Sequence, residues 1–325
     1  MAIRMAPEWE QHQWLWIGFP HLAHEWPGEL LRRAQEQIAA FANAVADSGQ
    51  SVRLVVRDAV NLTRAQELVS DAAMLERQRY GDIWLRDTGP IVVSAGSSAL
   101  AMRFGFNGWG GKYLMQGDQT IGADLAEGAG LPVTQSDWIL EGGAIDTDGS
   151  GLAVTTEQCL LNPNRNPAMN RADIEAALAR DLGLSRVLWL GEGLINDHTD
   201  GHVDNLARFV GAAHLAVPEA GGEDDPNTAI YADAAVRAEA FGLKVSRFPS
   251  PGRIMREGRI EPASYANFVV TNRLVVVPIF GVPNDDAAVA AIGALFPDHT
   301  AIGLPADAVL AGGGGFHCAS MQMPV

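Results

Sequence analysis

The sequence predicts an α/β fold in a single domain over residues 1–325. Short apolar runs alternate with stretches in which apolar residues recur every three or four positions. Strand-rich units separated by a helix recur roughly every sixty residues. No segment is long enough or simple enough in composition to be an interdomain linker.

Short runs that are apolar or alternating, and are bounded by turn residues, are predicted as strands. In chain order they are 51–57, 89–95, 99–106, 151–156, 186–191, 203–211, 214–219 and 273–281. Longer stretches with apolar residues at spacings of three and four are predicted as helices. In chain order they are 29–46, 63–76, 123–130, 171–182, 228–241 and 285–295.

The balance of charge restricts the partners of the protein. With 23 basic and 39 acidic residues, the formal net charge of −16 disfavours nucleic acids and anionic membranes and favours cationic ligands. No apolar run approaches the roughly 20 residues of a membrane-spanning helix. The first residues, MAIRMAPEWEQHQ, lack an export signal, and the two cysteines are far apart. We expect a cytoplasmic protein without a disulfide framework. We also expect a homo-oligomer of two or more copies.

The densest group of polar residues lies in INDHTDGHVDNLARF, residues 195–209. If residues 202–209 are extended, His202 and Asp204 share one face, because side chains alternate along a strand. A solvated loop with an N-cap is a second interpretation. A metal site is a third, although His198, Asp200, His202 and Asp204 are too close in sequence to supply the separated ligand that a tetrahedral site usually recruits.

Other candidates lie beside turns. Asp87 follows Trp84 in YGDIWLRDTGPIVV, at the mouth of an apolar strand, where a carboxylate can face a site or cap the backbone. Glu141 precedes two glycines in SDWILEGGAIDTDGSG, a position that also suits the shoulder of a hairpin. In FNGWGGKY, Trp109 and Lys112 lie among glycines, so a mobile aromatic flap and a tight β-turn are both open.

The two cysteines have different surroundings. Four consecutive glycines precede Phe316, His317 and Cys318, which indicates a loop shaped around a ligand. Cys159, in TTEQCLL, is interpreted as a small buried residue in a strand, without a chemical role.

Taken together, the candidates are a thiol, a histidine and three carboxylates: Cys318, His202, Asp87, Glu141 and Asp204. An ordinary cysteine hydrolase needs an oxyanion hole and has no use for several carboxylates. Carboxylates bind cations, and the planar guanidinium group matches them in bidentate pairs. The residues therefore favour attack of a thiol on the central carbon of a guanidinium group held by two aspartates.

The chain resembles agmatine deiminases and bacterial peptidylarginine-deiminase-like proteins. The segments that carry the resemblance are MAPEWEQHQWLWIGFP, DIWLRDTGP, FNGWGGKY, WILEGGAIDTDGSGLAVTTEQCLLNPNRNP, TDGHVDNLARF and GGGGFHCASMQMP, which span nearly the whole chain in this order. The resemblance implies the pentein fold, a five-bladed α/β propeller of ββαβ-type units with pseudo-fivefold symmetry around a central site. It also implies hydrolysis of agmatine to N-carbamoylputrescine and ammonia, a reaction of polyamine metabolism.

By this resemblance, Cys318 is the expected nucleophile, and His202 is the expected general acid and base. Asp87 and Asp204 are expected to clamp the guanidinium group. Glu141 is expected to orient His202 or to contact the substrate. The reaction needs no metal and no organic cofactor, and its partner is a small cationic guanidino compound.

The substrate pocket is expected to include Trp84, Trp109 and Gly315. Free arginine is expected to be a poor substrate because its α-carboxylate would be buried among acids, unless Arg86 or Lys112 turned inward to bind it. The chain departs from the family pattern at Gly315, where Asn is usual, and in EGGAIDTDG, where His commonly follows EGG. Arginyl peptides or another guanidino compound therefore stay open as substrates. So do an amidinotransferase and a catalytically silent binder of cations.

Overall fold

The computed structural model describes residues 3–96 and 98–325. Within these ranges, no helix is both long enough and apolar enough to cross a membrane. The helices are α1 (Glu29–Asp47), α2 (Ala59–Leu68), α3 (Leu85–Thr88), α4 (Gly108–Gly111), α5 (Ile121–Gly128), α6 (Glu157–Leu160), α7 (Arg171–Leu182), α8 (Thr228–Phe241), α9 (Asp285–Gly293) and α10 (Asp307–Leu310). Short 3₁₀ helices cover Gly142–Ala144, Val203–Asn205 and Tyr265–Asn267.

The strands are short, and most are buried on at least one face. They are β1 (Ile3–Met5), β2 (His12–Gly18), β3 (Ser51–Val56), β4 (Ala73–Arg77), β5 (Ile91–Ala95), β6 (Ser98–Gly105), β7 (Val133–Ile139), β8 (Ile145–Thr147), β9 (Leu152–Thr156), β10 (Arg186–Leu190), β11 (Arg208–Gly211), β12 (His214–Glu219), β13 (Lys244–Pro249), β14 (Met255–Arg256), β15 (Arg259–Ile260), β16 (Val269–Val270), β17 (Leu274–Ile279), β18 (Thr300–Pro305) and β19 (Ser320–Pro324). The fold is therefore α/β, as the alternation in the sequence predicts.

One pattern of connection recurs in five sheets of the described residues. In each sheet an antiparallel pair is extended by a parallel strand that follows a helix: β19/β2–α1–β3, β5/β6–α5–β7, β8/β9–α7–β10, β11/β12–α8–β13 and β16/β17–α9–β18. The recurrence of strand units separated by a helix, predicted from the sequence, is confirmed. In the first sheet the antiparallel partner is the C-terminal strand β19, which pairs with β2, the second strand of the chain.

The core fixes the segment that precedes β19. Phe41, on the buried face of α1, stacks on Phe316 with 4.8 Å between ring centroids. The indole N–H of Trp26 donates to the carbonyl of Ala308 at 2.9 Å, and its ring lies 6.1 Å from Trp84. These fully or nearly fully buried rings hold the glycine-rich loop against the main hydrophobic core.

Two element predictions are wrong in their extent. The predicted helix 63–76 is α2 followed by β4, because Asp58 caps an earlier helix start by accepting from the Asn61 amide. The predicted strand 203–211 is extended only in β11. Its first half is a 3₁₀ helix, in which the amides of Leu206 and Ala207 both donate to the carbonyl of Val203. His202 and Asp204 therefore do not share a strand face.

Cys159 is also placed differently from the prediction. It lies in the single helical turn α6 and not in a strand, because the hydroxyl of Thr156 accepts from its amide at 3.2 Å and starts the turn. The prediction that Cys159 is fully buried is confirmed. The predicted strands did not include β1, β2, β4, β7, β8, β13, β14, β15, β16, β18 and β19.

Replacing Leu54 with Ala should destabilise the protein by about 2–5 kcal/mol, because Leu54 is fully buried in the middle of a four-stranded sheet. The matched control is Val60→Ala at a side chain that is 79% exposed, where the change should stay within about 0.5 kcal/mol. Urea unfolding of both variants measures the difference. Equal losses would contradict the placement of β3 in the core.

Candidate active site

A narrow pocket of about 70 Å³ leads to Cys318. Its wall is formed by the acids Glu25, Asp82 and Asp87, the aromatic residues Trp84, Trp109 and Tyr113, and Cys318, His198, Thr199, Ala311, Gly312 and Gly313. Among the described residues, no lysine or arginine lines this wall. The pocket is suited to a slender cation with an apolar stem.

Cys318 lies at the pocket wall with only 4% of its surface exposed. The side-chain nitrogen of Asn267 is 3.1 Å from the sulfur of Cys318. The side-chain oxygen of Asn267 accepts a hydrogen bond from the backbone amide of Cys318 at 3.2 Å. Burial, assisted by Asp204 and Asp87, raises the pKa of the thiol well above its ordinary value.

Asp87 also faces the pocket, from the single turn of α3. Its Oδ1 accepts from the Gly143 amide at 3.0 Å, and its Oδ2 accepts from the indole N–H of Trp109 at 3.0 Å. Burial raises the pKa of Asp87 to about 6, although the neighbouring His202 acts in the opposite direction. Above that pH the carboxylate offers a fixed negative charge beside the thiol.

His202 is fully buried behind the pocket wall. Its Nδ1 lies 3.6 Å from Asp87 Oδ1, and within the described chain neither ring nitrogen has a hydrogen-bond partner. Burial disfavours its charged form, but Asp87, Cys159 and Glu141 together hold the pKa of His202 well above its ordinary value. The ring is therefore a charged group that is free to exchange a proton at the site.

Glu141 is fully buried, and it forms a hydrogen-bonded ion pair with Arg165. The Arg165 Nε donates to Glu141 Oε1 at 2.7 Å, and the same guanidinium group binds Asp200. Glu141 Oε2 has no hydrogen-bond partner in the described residues, and ligand atoms of Glu141, Cys159 and His202 lie within 4.8 Å of one another. Glu141 thus borders His202, and the hydrogen bond from Arg165 fixes the orientation of the Glu141 carboxylate.

Asp204 lies between the thiol and a second histidine. Its Oδ2 is 2.7 Å from His317 Nδ1, 3.3 Å from the Asn267 amide nitrogen and 3.5 Å from the sulfur of Cys318. Burial opposes ionisation, but the hydrogen bond and charge of His317, with smaller effects of His202 and Arg208, lower the pKa of Asp204. Its Oδ1 has no hydrogen-bond partner in the part of the chain that the structure describes.

Gly143 marks the point where these groups converge. A Cβ atom built on it would lie 2.6 Å from His202 Nδ1, 2.8 Å from Asp87 Oδ1 and 3.2 Å from Asp204 Oδ2. Any side chain at this position would fill the space between the three groups. The second glycine of the EGG motif therefore keeps this volume open, a role that the sequence analysis did not assign.

The segment FNGWGGKY forms a tight turn. Trp109 has a φ of 53° and lies between glycines that also have positive φ, and its buried ring closes one side of the pocket. Lys112 points away from the pocket, because its Nζ donates to Asp200 Oδ1 at 2.6 Å and to the carbonyl of His198 at 2.8 Å. Of the two alternatives for this segment, the structure has the turn.

Gly315 does not line the pocket. A Cβ atom there would lie 2.6 Å from the side-chain oxygen of Asn267, so this glycine leaves room for the amide that contacts Cys318. Trp84 does line the pocket, and a Cβ atom on Gly314 would lie 2.8 Å from its ring. The glycine run therefore brings the backbone close to the groups that position the thiol.

The polar loop 197–204 does not gather into a metal site. Asp200 binds Lys112 and Arg165, and Asp204 binds His317. His198 lines the pocket wall. Asp200 and Asp204 are thus bound to other parts of the protein, and among the described residues His198, Asp200, His202 and Asp204 do not form a common cluster of ligands.

Sequence reasoning missed the groups that hold the predicted residues in place. These are Glu8, Gly143, Arg165 and Asn267. Arg165 lies in the NPNRNP segment, which the resemblance included, but no periodicity or spacing connects it to Glu141. Asn267 lies outside every motif that the sequence analysis used.

Comparison with known proteins identifies related chains over the full length. The model of the Porphyromonas-type peptidyl-arginine deiminase family matches residues 4–324. A protein of Marinomonas sp., whose assignment as an agmatine deiminase is itself an inference, is 33% identical and is matched over 99% of this chain and 95% of its own.

Solved structures agree with this match. The agmatine deiminase of Enterococcus faecalis has a TM-score of 0.92 and 28% identity, covering 99% of this chain and 96% of its own. A cysteine-to-serine variant of the C. jejuni agmatine deiminase with substrate bound gives the same TM-score, identity and coverage.

Replacing Gly315 with Ala should reduce catalytic efficiency at least about tenfold, roughly 1.4 kcal/mol, because the new methyl group displaces Asn267 from Cys318. Gly211→Ala is the matched control, since its Cβ would meet nothing closer than the Cβ of His214 at 3.8 Å. Steady-state rates toward a guanidino substrate measure both. Unchanged activity in Gly315→Ala would remove Asn267 from the site.

Proposed function

Because the chain belongs to the Porphyromonas-type peptidyl-arginine deiminase family, we propose that it hydrolyses agmatine to N-carbamoylputrescine and ammonia. The observation that carries this proposal is the pocket itself. It brings the thiol of Cys318 beside two buried aspartates and has an acidic and aromatic wall that contains no lysine or arginine among the described residues. Such a site binds a cation at both ends and repels a carboxylate.

The guanidinium group binds between Asp87 and Asp204. Each carboxylate can accept N–H donors from the planar group in a charge-assisted pair, and Asp204 Oδ1 is without a partner in the described residues. The sulfur of Cys318, 3.5 Å from Asp204 Oδ2, then lies next to the central carbon. This arrangement supports Cys318 as the nucleophile.

In the first half of the reaction, the Cys318 thiolate adds to the guanidinium carbon and forms a C–S bond. A terminal C–N bond breaks, and the nitrogen leaves as ammonia after His202 gives it a proton. The product of this half is an S-alkylthiouronium attached to Cys318. His202 is suited to the step because its pKa is raised and its ring nitrogens are free.

In the second half, His202 removes a proton from water. The water oxygen bonds to the central carbon, the C–S bond breaks, and the thiol and a ureido product are released. Glu141 borders His202, and Arg165 holds the Glu141 carboxylate. We assign to Glu141 the orientation of His202 through both halves.

Substrate binding assists ionisation of the thiol. In the empty site the thiol pKa is raised by burial, Asp204 and Asp87. A bound guanidinium group places a positive charge between the sulfur and these carboxylates, which favours the thiolate. The reactive nucleophile therefore forms mainly when the substrate is in place.

The far end of the pocket suits an ammonium group. Glu25 and Asp82 line the same pocket, and burial raises the pKa of Asp82 to about 8 in the absence of a ligand. A nearby ammonium would favour the ionised carboxylate. Trp84, Trp109 and Tyr113 offer apolar faces to the methylene stem.

The two basic residues considered as partners for an α-carboxylate, Arg86 and Lys112, are both bound elsewhere. Arg86 is buried beneath the site, where it donates to Gln322 at 2.8 Å and to the carbonyl of His317. Lys112 is bound to Asp200 and to the backbone of His198. Free arginine would therefore bury its carboxylate without a cationic partner.

We also propose that the five sheets form a five-bladed propeller with pseudo-fivefold symmetry, as one catalytic domain over residues 1–325. The shared order of strands and helix in the five units supports this arrangement. Two free, buried cysteines support a reducing, cytoplasmic setting, where the protein would act as a homo-oligomer in putrescine formation.

Replacing Cys318 with Ser should abolish turnover while agmatine still binds, because Asp87 and Asp204 do not depend on the thiol. The C. jejuni relative with substrate bound is such a cysteine-to-serine variant. Cys159→Ser is the control and should keep most activity, because Cys159 lies outside the pocket wall and serine keeps a small polar group beside His202. Ammonia release and calorimetric binding are the measurements. Loss of activity only in a folded Cys159→Ser protein would contradict the assignment of the nucleophile.

Agmatine should be a better substrate than free arginine or a blocked arginyl peptide, measured as catalytic efficiency under one set of conditions. Asp82→Asn should raise KM for agmatine about tenfold, roughly 1.4 kcal/mol, because the ammonium loses a buried charge partner. Asp233→Asn, on the exposed side of α8, is the control.

The outcomes separate the alternatives. If free arginine is the best substrate, the agmatine assignment is wrong and the deiminase chemistry stands. If the peptide is best, the family's peptidylarginine activity is the better description. Dependence on an acceptor amine, without ammonia release, would indicate an amidinotransferase, and binding without turnover would indicate a silent cation-binding protein.

A further inference from the structure

His317 lies between two buried carboxylates. Its Nδ1 is 2.7 Å from Asp204 Oδ2, and its Nε2 is 2.8 Å from Glu8 Oε2. His317, Asp204 and Glu8 are respectively 3%, 0% and 5% exposed. None of the proposed catalytic steps uses this histidine, although it is adjacent in sequence to Cys318.

The hydrogen bonds define the state of the ring. An ionised carboxylate only accepts hydrogen bonds, so each ring nitrogen that faces one must donate. A histidine that donates from both nitrogens is an imidazolium. Burial opposes ionisation of both acids, but charges other than His317 favour it: Arg208, whose Nη2 lies 2.5 Å from Glu8, lowers the pKa of Glu8, and His202 and Arg208 lower the pKa of Asp204.

The charges of the surrounding cluster agree with a cationic ring. The acids are Glu8, Asp204 and Asp146, and the bases are Arg208, Arg86 and His317. Arg208 Nη2 lies 2.5 Å from Glu8 and Arg208 Nε lies 3.2 Å from Asp146, while Arg86 Nη2 lies 3.8 Å from Glu8. With His317 charged, the ion pairs of this cluster join three acids to three bases, and pairing lowers the cost of burying their charges.

We propose that His317 is a positioning residue: as an imidazolium bridging Glu8 and Asp204, it fixes one oxygen of Asp204 and keeps this carboxylate ionised for the substrate. Its effect on turnover rests on the proposed function, whereas its charge state does not. Asp204 Oδ1, which lacks a partner in the described residues, is left to bind the guanidinium group.

The two carboxylates that are proposed to bind the guanidinium group, Asp87 and Asp204, differ as the positioning role of His317 predicts. Both are buried within the same site. Asp87 has no hydrogen bond to a charged group in the described chain, and burial raises its pKa to about 6. Asp204 has His317 as a hydrogen-bond partner, and its pKa is lowered. Without the charge of His317, the pKa of Asp204 should rise, because burial raises it and only the smaller effects of His202 and Arg208 would oppose burial.

His12 provides a contrast within the same protein. It is also buried, and burial lowers its pKa to about 4, so it is neutral at ordinary pH. In the described residues its ring nitrogens have no carboxylate partner within hydrogen-bond distance, and its Nδ1 lies 3.4 Å from Gln50. Burial alone thus leaves a histidine neutral here, and the paired carboxylates distinguish His317.

The charge state is tested by NMR of protein labelled with ¹⁵N-histidine at mildly alkaline pH. Two signals, those of His202 and His317, should show protons on both ring nitrogens, and one of the two should be missing in His317→Gln. If that variant does not fold, the His317 signal is assigned by its shift in Glu8→Gln. A spectrum in which no doubly protonated signal is lost in His317→Gln or shifted in Glu8→Gln overturns the proposal.

The positioning role is tested by the pH dependence of catalytic efficiency in His317→Gln. Glutamine can still donate a hydrogen bond to Asp204 but carries no charge, so the pKa of Asp204 should rise. Activity at low pH should fall at least about tenfold relative to wild type and recover as the pH is raised. His214→Gln, at a histidine that contacts Ser246 on a different sheet, should keep the wild-type profile.

If catalytic efficiency in His317→Gln falls by the same factor at every pH, His317 has only a structural role. That result would overturn the positioning role, whatever the NMR shows. If the wild-type protein does not hydrolyse agmatine at all, the proposed function fails while the NMR result still decides the charge state. The two failures are therefore distinguishable.

Discussion

The buried carboxylate of Glu8 connects parts of the chain that are far apart in sequence. It binds Arg208 at the start of β11, the amide of Val270 in β16 at 2.7 Å, and His317 in the loop before β19. Because a buried charge costs several kcal/mol unless it is paired, these contacts stabilise the protein only when all three strand units are in position. The placement of His317, and through it Asp204, therefore depends on the assembly of the whole fold.

Space is the second constraint on the site. The chain brings His202, Asp87 and Asp204 together around Gly143, where a methyl group would already be too large. At Gly315, the absent side chain makes room for Asn267, which reaches the sulfur of Cys318 from a separate unit. In both places a glycine is needed because another group occupies the volume, while its own φ is ordinary. Close approach, and not backbone freedom, explains these two residues.

The sequence predicted the α/β class, the recurring units and the residues that the structure brings together around Cys318. It succeeded where information is local: apolar periodicity marks α1, α7 and α8, and the polar residues that interrupt strands mark Asp87 and Glu141. The prediction failed where local backbone hydrogen bonds override a strand-like alternation of side chains. The segment 202–209 alternates like a strand, yet its backbone turns at Val203, and the turn is what places His202 and Asp204 beside Asp87.

The groups that support the site were beyond prediction for a different reason. Arg165 pairs with Glu141 across 24 positions, and Asn267 reaches Cys318 across 51. No periodicity links such positions, because they meet only when separate units pack. Glu8 shows the same limit, since its acid side chain in a polar segment near the start of the chain carries no local sign of burial.

The charges of the site also explain how the thiol of Cys318 is protected from oxidation in the ligand-free protein. Oxidation of cysteine depends on thiolate character and on exposure. In the ligand-free protein Cys318 is 4% exposed and its pKa is raised, so both factors are low. In the proposed mechanism, a guanidinium group that binds Asp87 and Asp204 reverses the electrostatic factor at the moment when it also covers the sulfur. The carboxylates that suppress the thiolate in the empty site would then be the same groups that bind the cation which favours it, so that reactivity and recognition would depend on one pair of aspartates.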